Sequence, residues 1–447
     1  MSKPIFTIEE LSQITNGEIV GKIDKNTTLS ISTDTRTIEN DSAYLALCGK
    51  VFDGHDFIKM AFEKSAPIAI IDKKHKDLTK EHEKPFLIVE DTTTAYLQIA
   101  QFHKNKQKAK IIAITGSSGK TTTKELFYSV FSSKYKTQKS LKNHNNEIGL
   151  CQTLLSIESD TEYCIVEMGM RALKEIDLLA KYAQPQIAII TNSGSAHIGI
   201  LGSLENIAKA KCEITNYLSS DNTLIAHNNN LIKNILSNKN FNKVFYDLND
   251  VEILSKSENK SQFKYRDFVF NLPDSADFNI LNSLAVINAA KIENFSNEEI
   301  QTGLNQFKNI EFRNEITALK NGAIVVSDCY NANPDSTKAA IAHICEAYKN
   351  KKIIIIFGDM LELGEFEQNY HKEIGKLINN TNVNYFISVG KLAKIAADEV
   401  INIQKKSFTD TTEAANFLKG IIDQDTVIFL KASRGMCFEK ILEMIRG

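Results

Sequence analysis

Apolar residues along this chain gather into short, nearly unbroken runs with polar, helically spaced stretches between them. Four such runs occupy the middle of the chain: Ile111-Ile112-Ala113-Ile114-Thr115, Cys164-Ile165-Val166-Glu167, Ile187-Ala188-Ile189-Ile190-Thr191 and Thr223-Leu224-Ile225-Ala226. Four more follow at Ala323-Ile324-Val325-Val326, Ile353-Ile354-Ile355-Ile356, Tyr385-Phe386-Ile387-Ser388-Val389 and Thr426-Val427-Ile428-Phe429-Leu430. A strand with one wet face alternates apolar and polar residues, whereas a strand covered on both faces does not. These runs therefore predict two parallel sheets flanked by helices. Between them, residues 228–275 are rich in Asn, Lys and Ser and read as turns with short antiparallel strands. The polar stretch His103-Lys104-Asn105-Lys106-Gln107-Lys108 reads as a linker. Asn333-Pro334 reads as an N-cap followed by proline at the first helical position.

The expected fold class is α/β in three domains. Residues 1–105 form an N-terminal α/β domain, 106–312 a central phosphate-loop domain with a parallel sheet, and 313–447 a Rossmann-like domain. Composition narrows the function only by exclusion. Hydrophobic residues make up 43% and charged residues 24% of the 447, enough for sizeable cores. With 53 Lys and Arg against 55 Asp and Glu, the cationic excess that non-specific nucleic-acid binding needs is missing. No apolar stretch approaches the roughly 20 residues that span a bilayer, and no leader-like run precedes Glu9 and Glu10, so no membrane insertion or secretion is expected. The seven cysteines are scattered and none form a Cys-x-x-Cys pair, which fits a reducing cytoplasm.

The most informative segment follows the first apolar run. Thr115-Gly116-Ser117-Ser118-Gly119-Lys120-Thr121-Thr122 precedes a helical pattern with Leu126, Phe127, Val130 and Phe131 on one face. Strand, glycine loop and helix form the context of a phosphate cradle, where backbone N–H groups and a helix N-terminus converge on an anion. Lys120 would reach the β and γ phosphates of ATP, and the Thr121 hydroxyl would ligate Mg²⁺. The glycine expected five positions before Gly119 is replaced by Ile114.

Two further residues stand out on physical grounds. Glu167 closes a parallel strand, the end that faces the ligand crevice of an α/β sheet, and a carboxylate there can hold Mg²⁺. A helix over residues 204–218, turning by about 100° per residue, places Leu204, Ile207, Ala208, Thr215 and Leu218 on one face with Lys211 in its middle. A buried lysine is costly unless it is paired or modified.

The shortened loop Thr-Gly-x-x-Gly-Lys-Thr resembles that of the Mur ligase family, which also includes folylpolyglutamate synthetases. Lys142-Asn143-His144-Asn145-Asn146-Glu147 is similar to the family's asparagine-rich loop near substrate and γ-phosphate, which would involve Asn143, Asn145 and Asn146. His197, in Asn192-Ser193-Gly194-Ser195-Ala196-His197, matches a second metal-proximal residue. Lys211 stands where the family carries a carbamylated lysine, which would support a second Mg²⁺. Asn282 resembles the nucleotide-contacting asparagine, with Phe278 where histidine is common, and Arg313 resembles the arginine that opens the last domain. Asp328-Cys329-Tyr330-Asn331-Ala332-Asn333-Pro334-Asp335-Ser336 and Gly358-Asp359-Met360-Leu361-Glu362-Leu363-Gly364, followed by His371, are similar to the branch that adds D-alanyl-D-alanine. So is Lys431-Ala432-Ser433-Arg434, although Ala432 replaces a glycine.

The resemblance implies nucleotide contacts from Asp328 and Asn333, dipeptide contacts near Asn331 and Arg434, and UDP-sugar contacts from Ser32, Asp34, Arg36, Asp53 and His55 in the first domain. It implies a monomeric ATP-dependent ligase using UDP-N-acetylmuramoyl-tripeptide and D-alanyl-D-alanine. Catalysis would fall to Lys120, Glu167, His197 and Lys211, with Thr121, Glu167 and His197 near two Mg²⁺ ions. A different amide-forming member, a nucleotide switch and a dehydrogenase are the alternatives. The Asp328–Ser336 segment opposes the first. The absence of an Asn-Lys-x-Asp motif and of Gly-x-Gly-x-x-Gly after the candidate strands opposes the other two.

Overall fold

The computed structural model describes residues 4–446, except 50, 142, 143 and 309. The chain divides into two compact units. One comprises Met1–Ala113, Tyr135–Gly169 and Leu178–Gln186, the other Ile114–Lys134, Met170–Asp177 and Ile187–Gly447.

The first unit holds a six-stranded mixed sheet in the order Phe6–Thr7, Thr28–Ser32, Ser42–Leu45, Ala69–Asp72, Phe86–Val89, Glu18–Val20. Its four central strands run parallel and the two short outer ones antiparallel. The central strands Ser42–Leu45, Ala69–Asp72 and Phe86–Val89 are buried at every position, as expected of strands covered on both faces. Strands Thr137–Lys139 and Tyr163–Glu167 pair in parallel in the same unit. The expected linker is instead the end of the helix Thr92–Lys106. His103 bonds through Nε2 to the Ile157 carbonyl at 2.8 Å. Lys104 is buried and donates to Ala183 O at 3.3 Å and Gln184 Oε1 at 3.1 Å. Polar side chains with internal partners need no solvent, so polarity alone gave no sign that this stretch is helical.

In the second unit, the strands Ile187–Ile190, Thr223–His227 and Asn242–Tyr246 run parallel. The strand Lys110–Thr115 ends here and leads through the glycine loop into the helix Lys120–Phe131, whose Leu126, Phe127, Val130 and Phe131 are fully buried. Against this helix packs Asp277–Ile292. Residues 228–275 hold more than turns and antiparallel strands. A helix, Asn230–Ile235, is N-capped by Asn229, and Asn242–Tyr246 joins the parallel sheet before the three antiparallel strands Val251–Ser257, Lys260–Tyr265 and Phe268–Leu272.

The carboxy-terminal sheet runs Glu315–Ala318, Ile324–Asp328, Thr426–Lys431, Lys352–Gly358, Tyr385–Val389, Gln404–Phe408. All its pairs are parallel except the first. Val325, Ile354, Ile356, Ile387, Ile428 and Leu430 form the core of one face, with Phe438 and Ile441 packed on them. Asn333 caps the helix Pro334–Ala347 as the Asn-Pro pair predicted. Its Oδ1 accepts from Ser336 N at 2.9 Å, while Ser336 Oγ accepts from Asn333 N at 3.3 Å.

Candidate functional site

The loop after Thr115 is held from one side by the residues after the strand Ile187–Ile190. Asn192 Oδ1 accepts from the N–H groups of Ser117 and Ser118, both at 3.0 Å. Its Nδ2 donates to Ser118 O at 3.1 Å and Ser118 Oγ at 2.9 Å. Thr191 Oγ1 donates to Ser118 O at 2.6 Å. Ser117 Oγ donates to Gly194 O at 2.9 Å and accepts from Gly194 N at 3.0 Å. The turn is thus fixed by backbone and neutral side-chain groups that leave the charge of an incoming phosphate to the helix end and the lysine.

Gly119 precedes that helix at φ 77°, a left-handed conformation that suits glycine. A Cβ there would stand 2.6 Å from Asn282 Oδ1. At Gly116 a Cβ would stand 1.8 Å from Thr191 Oγ1, so both glycines are required by close approach. The first N–H groups of a helix have no intrahelical acceptor, which makes the end beginning at Lys120 an anion site. Lys120 Nζ donates to Gly116 O at 2.7 Å, folding back over the loop. Thr121 and Thr122 are nearly buried in the first turn.

Lys211 is 1% exposed. The helix around it is shorter than expected, Leu204–Cys212, and a 3₁₀ turn, Glu213–Thr215, continues it. Leu204 is exposed, while Ile207, Ala208, Ile214 and Thr215 are buried beside the lysine. Lys209 points outward to Glu205 at 2.9 Å. Burial drives the Lys211 amine well below the usual lysine range, and the positive charge of Lys120 acts in the same direction. The group is therefore held toward its neutral, nucleophilic form.

His197 adopts φ 64°, and its Nδ1 lies 2.8 Å from Glu362 Oε2. Glu362 is itself at φ 64°, and its carboxyl is held below the usual range, first by His197. Asp335 Oδ2 accepts from both the N–H and the hydroxyl of Ser195, at 2.7 and 2.8 Å. Asn192, Ser195, Asp335 and Glu362 stand within the motifs above, but the sequence assigns them no role. Their partners lie far away in sequence, so no local signal could reveal them.

The carboxy-terminal signature residues converge at strand ends. Lys431, buried at the end of its strand, donates to Asp328 Oδ2 at 2.5 Å and to Asn331 O at 3.1 Å. Arg313 lies over the Tyr330 ring, 4.2 Å from its centroid, and Arg434 lies 5.7 Å from that of Phe312. Asn331 Oδ1 accepts from Ala332 N. His371 is fully buried; its Nε2 accepts from Met360 N at 3.0 Å and its Nδ1 bonds Glu367 O at 2.6 Å. It pins the segment carrying Glu362 and has no nitrogen left for a ligand. Ala432 lies in the core beside Phe438, so its Cβ packs inward.

In the first unit, Glu167 is 3% exposed and its Oε1 accepts from Asn145 Nδ2 at 3.1 Å. Asn146 caps the helix Glu147–Leu155 through Gly149 N, and Asn143 lies outside the described residues. Asp34 binds Arg36 through both oxygens, at 2.9 and 2.7 Å, which lowers its carboxyl to about 2. Ser32 Oγ donates to Asp34 O at 3.2 Å. Asp53 caps a 3₁₀ turn, Gly54–Phe57, and binds His55 Nδ1 at 2.6 Å. Asp53, His55 and His75 bring potential metal ligands within 4.8 Å. Both His55 nitrogens are already engaged, by Asp53 and by Asp72 N, and His75 Nδ1 bonds Asp72 Oδ1, so the cluster is satisfied by its own hydrogen bonds.

Comparison with known proteins gives three family matches in succession: "Mur ligase family, catalytic domain" over residues 29–104, "Mur ligase middle domain" over 114–290 and "Mur ligase, glutamate ligase domain" over 312–434. The chain is 33% identical to the UDP-N-acetylmuramoyl-tripeptide–D-alanyl-D-alanine ligase of Bacillus subtilis (strain 168), over 98% of this chain and 97% of that one. Among solved structures, it resembles MurF from Acinetobacter baumannii with a TM-score of 0.92, 27% identity and full coverage of both chains. The MurF ligase of Thermotoga maritima in complex with ADP gives a TM-score of 0.83 at 25% identity, covering 95% of this chain and 98% of that one.

Proposed function

The chain belongs to the Mur ligase family, and we propose that it joins D-alanyl-D-alanine to UDP-N-acetylmuramoyl-tripeptide with ATP, a step of peptidoglycan precursor synthesis. Relatives named for this ligation match across nearly the whole chain, and a solved neighbour of the same kind binds ADP. The three family matches support domains at 1–105, 106–312 and 313–447. No helix among the described residues is long and apolar enough to cross a membrane. We take the enzyme to act as a cytoplasmic monomer.

A carboxylate is a poor electrophile. In this reading the tripeptide carboxylate attacks the γ-phosphate of ATP, releasing ADP and forming an acyl phosphate. The D-alanyl-D-alanine amine then attacks the acyl carbon and expels phosphate, giving the amide. No protein nucleophile is needed. Lys120 and the first turn of its helix would offset charge gathering on the phosphates, with Asn282 and Arg313 at the nucleotide. Thr121 and Glu167 offer the hydroxyl and carboxylate oxygens that suit Mg²⁺, and His197, whose Nδ1 faces Glu362, would offer Nε2. Two Mg²⁺ ions would polarise the transferred phosphoryl group. Ser32, Asp34, Arg36, Asp53 and His55 are assigned to the UDP-sugar, Asn143, Asn145 and Asn146 to the reacting end of the tripeptide, and Asn331 and Arg434 to the dipeptide, with Asp328 and Asn333 near the nucleotide.

The single observation that carries the reading is Lys211. A lysine buried beside Lys120's charge and held toward neutrality is poised to add CO₂ at Nζ, losing a proton and becoming a carbamate anion. That converts a buried amine into an anion able to support a metal. The acyl phosphate is tested with ¹⁸O in the tripeptide carboxylate: the reading expects label in the released phosphate, and unlabelled phosphate refutes it.

A further inference from the structure

Among the described residues, the segment 192–199 touches both the phosphate loop and the carboxy-terminal part of the chain. Three contacts hold that segment. Asp335, in the first turn of the helix Pro334–Ala347, receives both the N–H and the hydroxyl of Ser195 on a single oxygen. Glu362 meets His197 at 2.8 Å. Gly199 lies so close to the backbone of Gly364 that a Cβ would stand 2.4 Å from the Gly364 nitrogen. The other end of the segment is bound to the loop itself: Gly194 exchanges two hydrogen bonds with Ser117 Oγ, and Asn192 holds the N–H groups of Ser117 and Ser118. Two residues at the contact, His197 and Glu362, take left-handed backbone conformations that non-glycine residues rarely adopt. Such outliers persist where the surroundings over-determine them.

We propose that Asp335 is a positioning residue that sets the phosphate loop from the carboxy-terminal part of the chain, acting through Ser195, Gly194 and Ser117. Its neighbours in the signature segment turn their Oδ1 atoms to nearby backbone N–H groups, Asn333 at the helix cap and Asn331 at Ala332. Asp335 alone of the three directs its side chain across to the loop-binding segment. Both the backbone and the side chain of Ser195 are thereby tied to one carboxylate oxygen. A nucleotide seated on the loop and the carboxy-terminal elements that approach the dipeptide are thereby brought into one register. The proposal rests on the ATP-ligase reading above.

The test compares Asp335→Ala, Asp335→Asn, Ser195→Ala, Ser117→Ala and the Asp335→Ala/Ser117→Ala double variant in the full-length enzyme. ADP affinity is measured by calorimetry, and KM for ATP and kcat by phosphate release. The expected result is about a tenfold loss in ADP affinity and a matching rise in KM for ATP for Asp335→Ala, with a smaller shift for Ser195→Ala. Asp335→Asn keeps an oxygen for both donors and is expected within about threefold of the wild type. The double variant is expected to lose little more than Ser117→Ala alone, because both act through one chain of contacts. Unchanged ADP affinity in Asp335→Ala, or losses that simply multiply in the double variant, overturns the proposal. So does an Asp335→Asn variant as impaired as Asp335→Ala, since charge rather than positioning would then be at work. If the wild type itself binds no ADP, the ligase reading fails instead, so the two failures are distinguishable.

Discussion

Replacing Asn192 by alanine probes how the phosphate loop is held before any nucleotide arrives. The carboxamide makes four hydrogen bonds to Ser117 and Ser118. Two of the partners keep another bond in the variant. Ser117 N–H retains the backbone carbonyl of residue 192 at 3.2 Å, and Ser118 O retains Thr191 Oγ1 at 2.6 Å. The Ser118 N–H and hydroxyl lose the bonds shown here. At about 1 kcal/mol net for each neutral bond, the loop loses about 2 kcal/mol of preorganisation. If ordering must then be supplied on binding, affinity for ADP falls roughly 30-fold, since about 1.4 kcal/mol is a decade. Calorimetric titration with Mg-ADP and a urea midpoint on the same preparation read both quantities. A variant that binds ADP as tightly as the wild type, with an unshifted midpoint, refutes the reasoning. A lowered midpoint with unchanged affinity would assign Asn192 to stability alone.

Lys120→Ala is expected to reduce ligation by about 10³-fold or more, the scale of removing a charge-stabilising group, and turnover near the wild-type value would contradict the loop assignment. Lys211→Ala should be inactive and partly rescued by short carboxylates, which can occupy the carbamate's place; full activity in the variant without additives would sink the carbamate. Gly116→Ala should fold and yet bind no ADP, because its Cβ would displace Thr191 Oγ1 from the loop, and normal binding would show the turn to be more tolerant than its geometry. His343 is pulled down to about 4 by burial, reinforced by Lys256. Its folded pKa lies below its unfolded value of about 6.5, so the unfolded chain takes up the proton first and stability falls as pH drops from about 6.5 to about 4. His343→Leu should flatten that fall by on the order of 3 kcal/mol, as read from urea midpoints across the range.

The elements that the sequence disclosed are those whose signal is local. The eight apolar runs are strands because burial on both faces leaves no reason to alternate. The glycine loop is legible because strand, glycines and helix follow one another without a break, and its glycines then answer close approaches by Thr191 and Asn282. Lys211 was legible from one turn of helix on either side, even though the helix ends at Cys212 and leaves Leu204 in solvent. What failed were inferences from polarity. His103 and Lys104 look like linker residues until their partners at Ile157, Ala183 and Gln184 are known, and those lie 54 to 80 positions away. The strand Asn242–Tyr246 was hidden because it is less fully buried than its neighbours and pairs on one side, with Thr223–His227. The grip of Asp335 on Ser195, across 140 positions, has no local signature at all.

The central claim is that this chain spends ATP on one amide bond between two particular partners. Phosphate release from Mg-ATP, measured with each partner alone and with both, tests it most directly. The account predicts sustained, stoichiometric release only when UDP-N-acetylmuramoyl-tripeptide and D-alanyl-D-alanine are both present, with the amide appearing at the same rate. Sustained release without the dipeptide, or an equal rate with another amine acceptor in its place, would contradict it.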